Sequence, residues 1–378
     1  LLRLNNCHKE FEILFMGKKR IRIIIGSLNV GGTEKQLVQI LNGLYKNNWN
    51  IEIIVINNRG RLTKLLNKNI KIQCIGSKSF FKILLPIKYI FSLYKIFKKN
   101  PQTLTHFFLP QSYILGMFAS IFAKTSCKLI MSRRSLNTYQ KNYFFCKRVE
   151  KFLHKKIDKI LVNSSAIKNQ LIKDEKVENK KIKLIYNGIK IKTIKRAKTK
   201  NKFNISIVAN LIPYKCHDIL LKSLSLIKNQ LPINWKLYCI GRDDGIKKNL
   251  LYLSKKFKIK KNVVFLETTN IENFLYSSHI GILCSSEEGF PNAILEYFAA
   301  KLPVISTNVG GCKEIIKNKK NGLLIPKKDP KQLAKAIIFL YKNNQIRKKY
   351  GFAGYKLIKG KFNIKKTIKE HEKVYLNM

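Results

Sequence analysis

Glu288 and Glu296 stand eight positions apart in the stretch Glu288-Gly289-Phe290-Pro291-Asn292-Ala293-Ile294-Leu295-Glu296. Phe290 precedes a proline and is biased towards extended backbone, and Pro291 suits a first helical position, so a helix is expected to begin at Pro291. Glu288 then lies in the loop before it, and Glu296 lies one turn beyond Asn292 on the same helix face. Two carboxylates flanking the free N–H groups of a helix start can hold one elongated polar ligand, such as a sugar joined through phosphate to a ribose. The residues leave other readings open. Ser285-Ser286-Glu287-Glu288 fits a capping box, and Ala293, Ile294, Leu295, Phe298 and Ala299 suit the buried side of an ordinary helix. The inserted Gly-Phe-Pro weighs against the capping box, which needs Glu288 inside the first turn. Paired carboxylates also suit glycoside hydrolysis, one as acid and one as nucleophile.

Two further places could touch a ligand. Gly31 and Gly32 open a helix after a strand, where backbone N–H groups form an anion site, although Gly-x-Gly-x-x-Gly is absent. His106 ends the run Leu104-Thr105-His106, read as a strand, and the carboxyl ends of parallel strands are where such sheets bind ligands. A lone histidine also serves structural ends.

These groups need two scaffolds. Arg20 to Ile25, Ile51 to Ile56 and Ile70 to Ile75 read as buried strands, the last two separated by a short helix near Leu62 to Leu66, and further strands are expected at 128–131, 159–162 and 183–185. Ile189 to Asn201 is basic and poor in core residues. Strand and helix signals then restart, with strands at 204–209, 236–240, 263–266, 281–284, 303–306 and 322–325. The pattern predicts two Rossmann-like, doubly wound α/β domains facing a central cleft. The first spans 16–190, a linker 191–202, and the second 203–360, with 361–378 returning as a helix to the first.

The length of 378 residues and 45% hydrophobic content support two large cores. A net charge of +54 suits anionic partners, but the lysines are spread along the chain without a ribonucleoprotein aromatic motif or zinc spacing, so no nucleic-acid partner is expected. The eight cysteines are dispersed, which predicts reduced thiols and no metal site. Nothing reads as a transmembrane span or signal peptide, and Met16 is a candidate start. Ser79 to Lys99 interleaves aromatic, aliphatic and lysine residues; it suits either the interface of an anionic leaflet or a helix packed on the sheet. A cytoplasmic protein, peripheral on the inner membrane face, is the expectation.

A longer set of residues carries a resemblance. Ser286-Glu287-Glu288-Gly-Phe-Pro-Asn-Ala-Ile-Leu-Glu296, Ala299-Ala-Lys-Leu-Pro-Val-Ile-Ser-Thr-Asn-Val-Gly-Gly311, Glu314-Ile-Ile and Asn321-Gly-Leu-Leu-Ile-Pro326 resemble glycosyltransferase family 4. The likeness extends through Gly31-Gly32-Thr33-Glu34, Asn163-Ser164, Ile185-Tyr-Asn-Gly188 and Pro213-Tyr-Lys215. It implies the GT-B architecture and a retaining, metal-independent enzyme of the hexosyltransferase type, without a cofactor, using a nucleotide-sugar donor such as a UDP-sugar. The implied acceptor is a lipid-linked or cell-surface glycan.

By that resemblance Glu288 holds donor-sugar hydroxyls, and N–H groups of Gly289, Phe290 and Asn292, beside Pro291, meet sugar or diphosphate. Glu296 accepts from the ribose, Lys215 neutralises the leaving diphosphate, Gly32 approaches it from the other domain, and His106 lies near sugar and acceptor. The family commonly has Gly-Arg-Leu where this chain has Ala209-Asn210-Leu211, so Asn210 removes a charge from the leaving-group site. Arg242, Arg133 and Arg134 are candidates to compensate. Two alternatives to transfer stay open: an inactive membrane-associated scaffold of the same fold, and a glycoside hydrolase.

Overall fold

The computed structural model describes residues 19–76, 84–142, 144–192, 202–268 and 270–378. Met16 and most of the expected linker lie outside them. The first half runs β1 (Arg20–Ser27), α1 (Gly32–Lys46), β2 (Asn50–Asn58), β3 (Lys71–Cys74), α2 (Leu85–Lys99), β4 (Thr105–Phe108) and α3 (Pro110–Ala123). It continues through β5 (Leu129–Arg133), α4 (Phe144–Lys156), β6 (Lys159–Val162), α5 (Ser165–Glu175) and β7 (Ile182–Leu184). The second half runs β8 (Asn204–Val208), α6 (His217–Ile227), β9 (Lys236–Ile240), α7 (Lys247–Lys256), β10 (Val263–Leu266), α8 (Glu272–Ser277) and β11 (Ile280–Leu283). It then adds α9 (Asn292–Ala299), β12 (Val304–Thr307), α10 (Cys312–Ile315), β13 (Gly322–Ile325), α11 (Pro330–Lys342), α12 (Asn344–Gly360) and α13 (Ile364–Leu376).

The strands form two parallel sheets, ordered β3-β2-β1-β4-β5-β6-β7 and β10-β9-β8-β11-β12-β13. Each order reverses once, between β1 and β4 and between β8 and β11, which leaves a crevice at the carboxyl ends of those strands. The continuous β-branched run of β1 explains its central place. Ile21, Ile23 and Ile25 pack with Leu37 and Leu41 of α1, while Ile24 packs with Leu93 and Phe97 of α2 and Met117 of α3. Alternate side chains are thus buried on both faces, as a parallel sheet between helix layers requires.

Three expectations change in detail. β4 does not end at His106; it starts at Thr105 and runs on through Phe107 and Phe108, because those apolar side chains are fully buried between layers. The helix expected at Pro291 begins at Asn292, and Pro291, with ψ 111°, is the extended residue before it. Leu62 to Leu66, read as a helix, contributes a short 3-10 turn at Arg61–Leu65.

α13 packs on α1, and its Val374 and Tyr375 join the apolar cluster under β1. The Trp49 indole N–H donates to Glu372 Oε1 at 2.9 Å, tying that helix to the first half. The crossing is pinned where Ile189 pairs with Asn363: Ile189 N–H donates to Phe362 O at 2.9 Å, and Ile364 N–H donates to Ile189 O at 3.2 Å.

Candidate active site

Between the sheets lies a cleft of about 1000 Å³, lined from both halves. The first half supplies Gly31 and Gly32 at the start of α1, with Arg134 and Asn187 beyond the ends of β5 and β7. The second half supplies Asn210 after β8, Lys215 before α6 and Arg242 after β9. Glu288 through Pro291, in the connection from β11 to α9, and Asn292 and Glu296 on α9 complete that wall. The sequence-predicted donor-site residues thus converge on one crevice at the carboxyl ends of both sheets.

Close backbone contacts fix the loop that carries Glu288. Gly310, at φ +47°, lies so near that a Cβ there would be 1.7 Å from the Glu288 carbonyl oxygen, so a side chain is excluded on both counts. Gly289 meets the opposite half: a Cβ would lie 2.4 Å from Arg134 O. The loop therefore runs between two backbones without slack, and the first N–H groups of α9, unsatisfied within a helix, start beside it.

Lys215 and Glu288 are paired at 2.6 Å, and Ser285 Oγ donates to the same carboxylate oxygen, Oε1, at 2.7 Å. Burial works to lower the Lys215 pKa, but Glu288, with Tyr214 beside it, outweighs that effect and lifts the ammonium above its ordinary value. The lysine therefore stays charged at neutral pH. His217 follows close by; burial, reinforced by the Lys215 charge, brings its pKa down to about 4, so it is a neutral neighbour. Burial also raises the Glu296 carboxyl above its usual range, partly offset by Lys35.

Asn210 does not face the cleft with a charge. Its Nδ2 donates to Asp244 Oδ2 at 3.2 Å, and its Oδ1 accepts from Arg242 N–H at 3.3 Å. Arg242 in turn holds Asp244 through Nε at 2.6 Å and Nη2 at 3.0 Å. The guanidinium lines the cleft with its charge already answered by a carboxylate.

His106 is not part of this wall. It is fully buried within β4, its Nδ1 is 2.8 Å from the Tyr375 hydroxyl, and its Nε2 is 2.9 Å from the Ser132 hydroxyl. Burial, with His371 and Arg134 nearby, holds it well below its ordinary pKa. The misplacement follows from the strand boundary: two more residues of β4 carry the sheet past His106, leaving it inside.

Two residues not singled out as ligands, Asn187 and Glu314, help join the halves. Asn292 Nδ2 donates to Gly32 O at 2.8 Å, and its Oδ1 accepts from Asn187 Nδ2 at 2.7 Å. Glu314 accepts from the Ser165 N–H at 3.0 Å, the Ala166 N–H at 3.3 Å and the Tyr186 hydroxyl at 3.0 Å. A carboxylate from one half thus caps α5 of the other, where the helix dipole favours it. Glu314 and Asn187 both stood in matched motifs, but their contacts cross the cleft and leave no periodic signal.

Residues 189–357 match the description Glycosyl transferases group 1, and residues 30–193 match Glycosyltransferase Family 4. The chain belongs to glycosyltransferase family 4. Among family relatives, a UDP-Gal:alpha-D-GlcNAc-diphosphoundecaprenol alpha-1,3-galactosyltransferase of Escherichia coli is 26% identical over 309 residues, covering 77% of this chain and 80% of its own. An N-acetylgalactosaminyltransferase of Campylobacter jejuni, named for an undecaprenol diphosphate-linked glycan, is 27% identical over 339 residues, covering 87% of this chain and 90% of its own. HepE of Anabaena, solved with UDP-glucose, superposes with a TM-score of 0.83 at 18% identity, over 95% of this chain and 100% of that one. That likeness establishes the GT-B fold for this family 4 glycosyltransferase.

Proposed function

We propose that this family 4 enzyme transfers a sugar, with retention, from a UDP-sugar to a lipid-linked or cell-surface glycan at an anionic membrane face. The Lys215–Glu288 ion pair at 2.6 Å in the cleft carries the reading, because it sets a permanent cation beside a carboxylate that a sugar hydroxyl can reach. The named specificities of the Escherichia coli and Campylobacter relatives support the donor and the lipid-linked acceptor.

In this reading the ribose hydroxyls donate to Glu296, the diphosphate lies against Lys215 and the N–H groups from Gly289 to Asn292, and the sugar hydroxyls reach Glu288. The bond between the anomeric carbon and the phosphoryl oxygen breaks as the acceptor oxygen bonds to that carbon on the same face. The acceptor proton passes to the departing phosphoryl oxygen. The transition state is rich in negative charge at that oxygen, where a fixed ammonium and helix N–H groups act most strongly. Neither glutamate is needed as a nucleophile.

The membrane part rests on α2. Tyr89, Leu93 and Phe97 are buried against the sheet, while Leu84, Ile87 and Phe91 are exposed on the far side. Lys95 Nζ lies 4.6 Å from the Phe91 ring centroid, and Phe91 stacks on Tyr94. Both sequence alternatives are therefore served by opposite faces of one helix, apart from 79–83, which lie outside the described residues. Among the described residues no helix is long and apolar enough to cross a membrane.

Thermal shift against a panel of UDP-, GDP- and dTDP-sugars, followed by transfer assays with the stabilising donor, tests the proposal. A donor-dependent rise in Tm and an anomerically retained product are expected. Release of sugar from an oligosaccharide without any nucleotide would establish the hydrolase alternative instead. Vesicles containing anionic lipid should retain the protein, and Phe91→Ser with Lys95→Ser should release it; equal retention would remove the membrane face from the proposal.

A further inference from the structure

Arg134 is a buried cation of the cleft wall that no carboxylate answers among the described residues. Its Nη1 donates to Asn187 Oδ1 at 2.5 Å, Phe108 backs the guanidinium with its ring centroid 5.5 Å away, and Nε is buried without a partner. The titratable groups that face it come from β4 and α13. Burial keeps His106 and His371 uncharged and the Tyr375 phenol protonated, so none supplies a negative charge.

The preceding residue shows what a purely structural arginine looks like in the same strand end. Arg133 holds Glu150 at 3.0 Å and Glu175 at 2.7 Å, both buried. Successive side chains of a strand point to opposite sides, so one arginine enters the interior and the next turns to the cleft. Burial pushes the Arg134 pKa down to about 10, which still leaves it charged at neutral pH. A buried cation without a counter-charge opposes folding, and a planar guanidinium fixed at one end presents a fork that matches two phosphoryl oxygens.

We propose that Arg134 binds a phosphoryl group of a substrate in the cleft, with Asn187 fixing its orientation. The proposal rests on the cleft being a nucleotide-sugar site. The phosphoryl group belongs either to the donor diphosphate or to a phosphorylated acceptor, and the chemistry is the same. Asn187 also donates to Asn292 in the donor loop, and Arg134 O abuts Gly289, so the cation is held against the donor wall from the acceptor-side half.

The test uses the full chain with Arg134→Met and Arg134→Lys. Calorimetric binding of UDP and of inorganic pyrophosphate is combined with kinetics on one glycan acceptor prepared with and without its diphosphate. Arg134→Met is expected to keep or raise Tm, since it removes an uncompensated charge, and Arg134→Lys to fold with intermediate affinity. If the donor supplies the group, UDP and pyrophosphate bind at least about tenfold more weakly in Arg134→Met. If the acceptor supplies it, UDP affinity holds and KM rises at least about tenfold for the diphosphate acceptor alone. Unchanged binding of both anions, with unchanged preference between the acceptors, overturns the proposal. So does a Tm loss in both variants without any change in binding, which would make Arg134 structural. Arg134-dependent pyrophosphate binding in a protein that binds no nucleotide sugar would sustain the anion site while defeating the donor reading.

Discussion

Under β5, Arg133 sits between two buried carboxylates, and one of them, Glu175, also accepts from His154 at 2.9 Å. In the cleft, Lys215 has one carboxylate partner, partly open to solvent, and Arg134 has none among the described residues. The interior network closes on itself, whereas the cleft leaves donors and charges available. Carboxylate chemistry follows the same division. Burial works to raise the Glu175 pKa, but the His154 and Arg133 contacts bring it below its usual 4.5, while burial prevails at Glu296 and raises it. Charge that is fully matched holds the fold; charge that is not is held for something that arrives.

Breaking the closed network should have the largest effect. Arg133→Met leaves Glu150 and Glu175 buried without their cation, which is expected to remove about 3–5 kcal/mol of folding stability. Urea denaturation followed by circular dichroism measures it. A loss below about 1 kcal/mol would mean that the interior pairs are as dispensable as surface ones, and the contrast would fail.

Lys215→Ala makes the complementary cut. It is expected to leave the fold intact and to slow kcat by about 3–4 kcal/mol in activation free energy, because in the proposed mechanism the ammonium acts on charge that develops only as the diphosphate leaves. Near wild-type turnover with saturating donor would remove Lys215 from the reaction. Donor binding weakened with kcat unchanged would make it a ground-state contact.

The sheet architecture was legible because parallel strands buried on both faces write continuous β-branched runs, as in Ile23-Ile24-Ile25. The loop that carries Glu288 was legible because Gly289, Pro291 and Gly310 are residue types that suit its close-packed backbone. His106 was not, since strand ends depend on which apolar residues the neighbouring layer covers, and Phe107 and Phe108 could have been loop. Arg134 was named beside Arg133 but could not be told from it. The difference lies in partners on α4 and α5, distant in sequence, that meet one arginine and miss the other.

The two shifted carboxylates give the comparison a titration. Glu175, with its pKa depressed on folding, contributes stability that is present above its unfolded value and is lost as pH falls through the lowered one, below 4.5. Glu296 has the opposite sign: its raised pKa makes the folded state lose stability as pH rises through that value, above 4.5. Donor hydroxyls that donate to Glu296 favour the ionised form, so UDP binding should strengthen over the same interval and release protons. Calorimetry in buffers of different ionisation enthalpy detects the release, and Glu296→Gln should abolish it. Replacing Glu296 by Ala should weaken donor binding by about 1–3 kcal/mol. Equal affinity and equal proton release in wild type and Glu296→Gln would disconnect Glu296 from the ribose.

An effect no larger than that of Glu296→Ala is expected where the two halves touch. Asn292 bridges Gly32 O and Asn187 with one amide, so Asn292→Ala removes two neutral hydrogen bonds across the cleft. Each contributes about 0.5–1.5 kcal/mol, and both depend on the halves being apposed, so the loss should fall on donor affinity and leave the stability of each core intact. The same amide orients the residue that fixes Arg134, which makes the double variant Asn292→Ala/Arg134→Met informative. If Asn292 acts through Asn187 on that guanidinium, the double variant will lose less affinity than the sum of the two single losses. Strict additivity would mean that Asn292 only holds Gly32, and the unanswered cation is set by the first half alone.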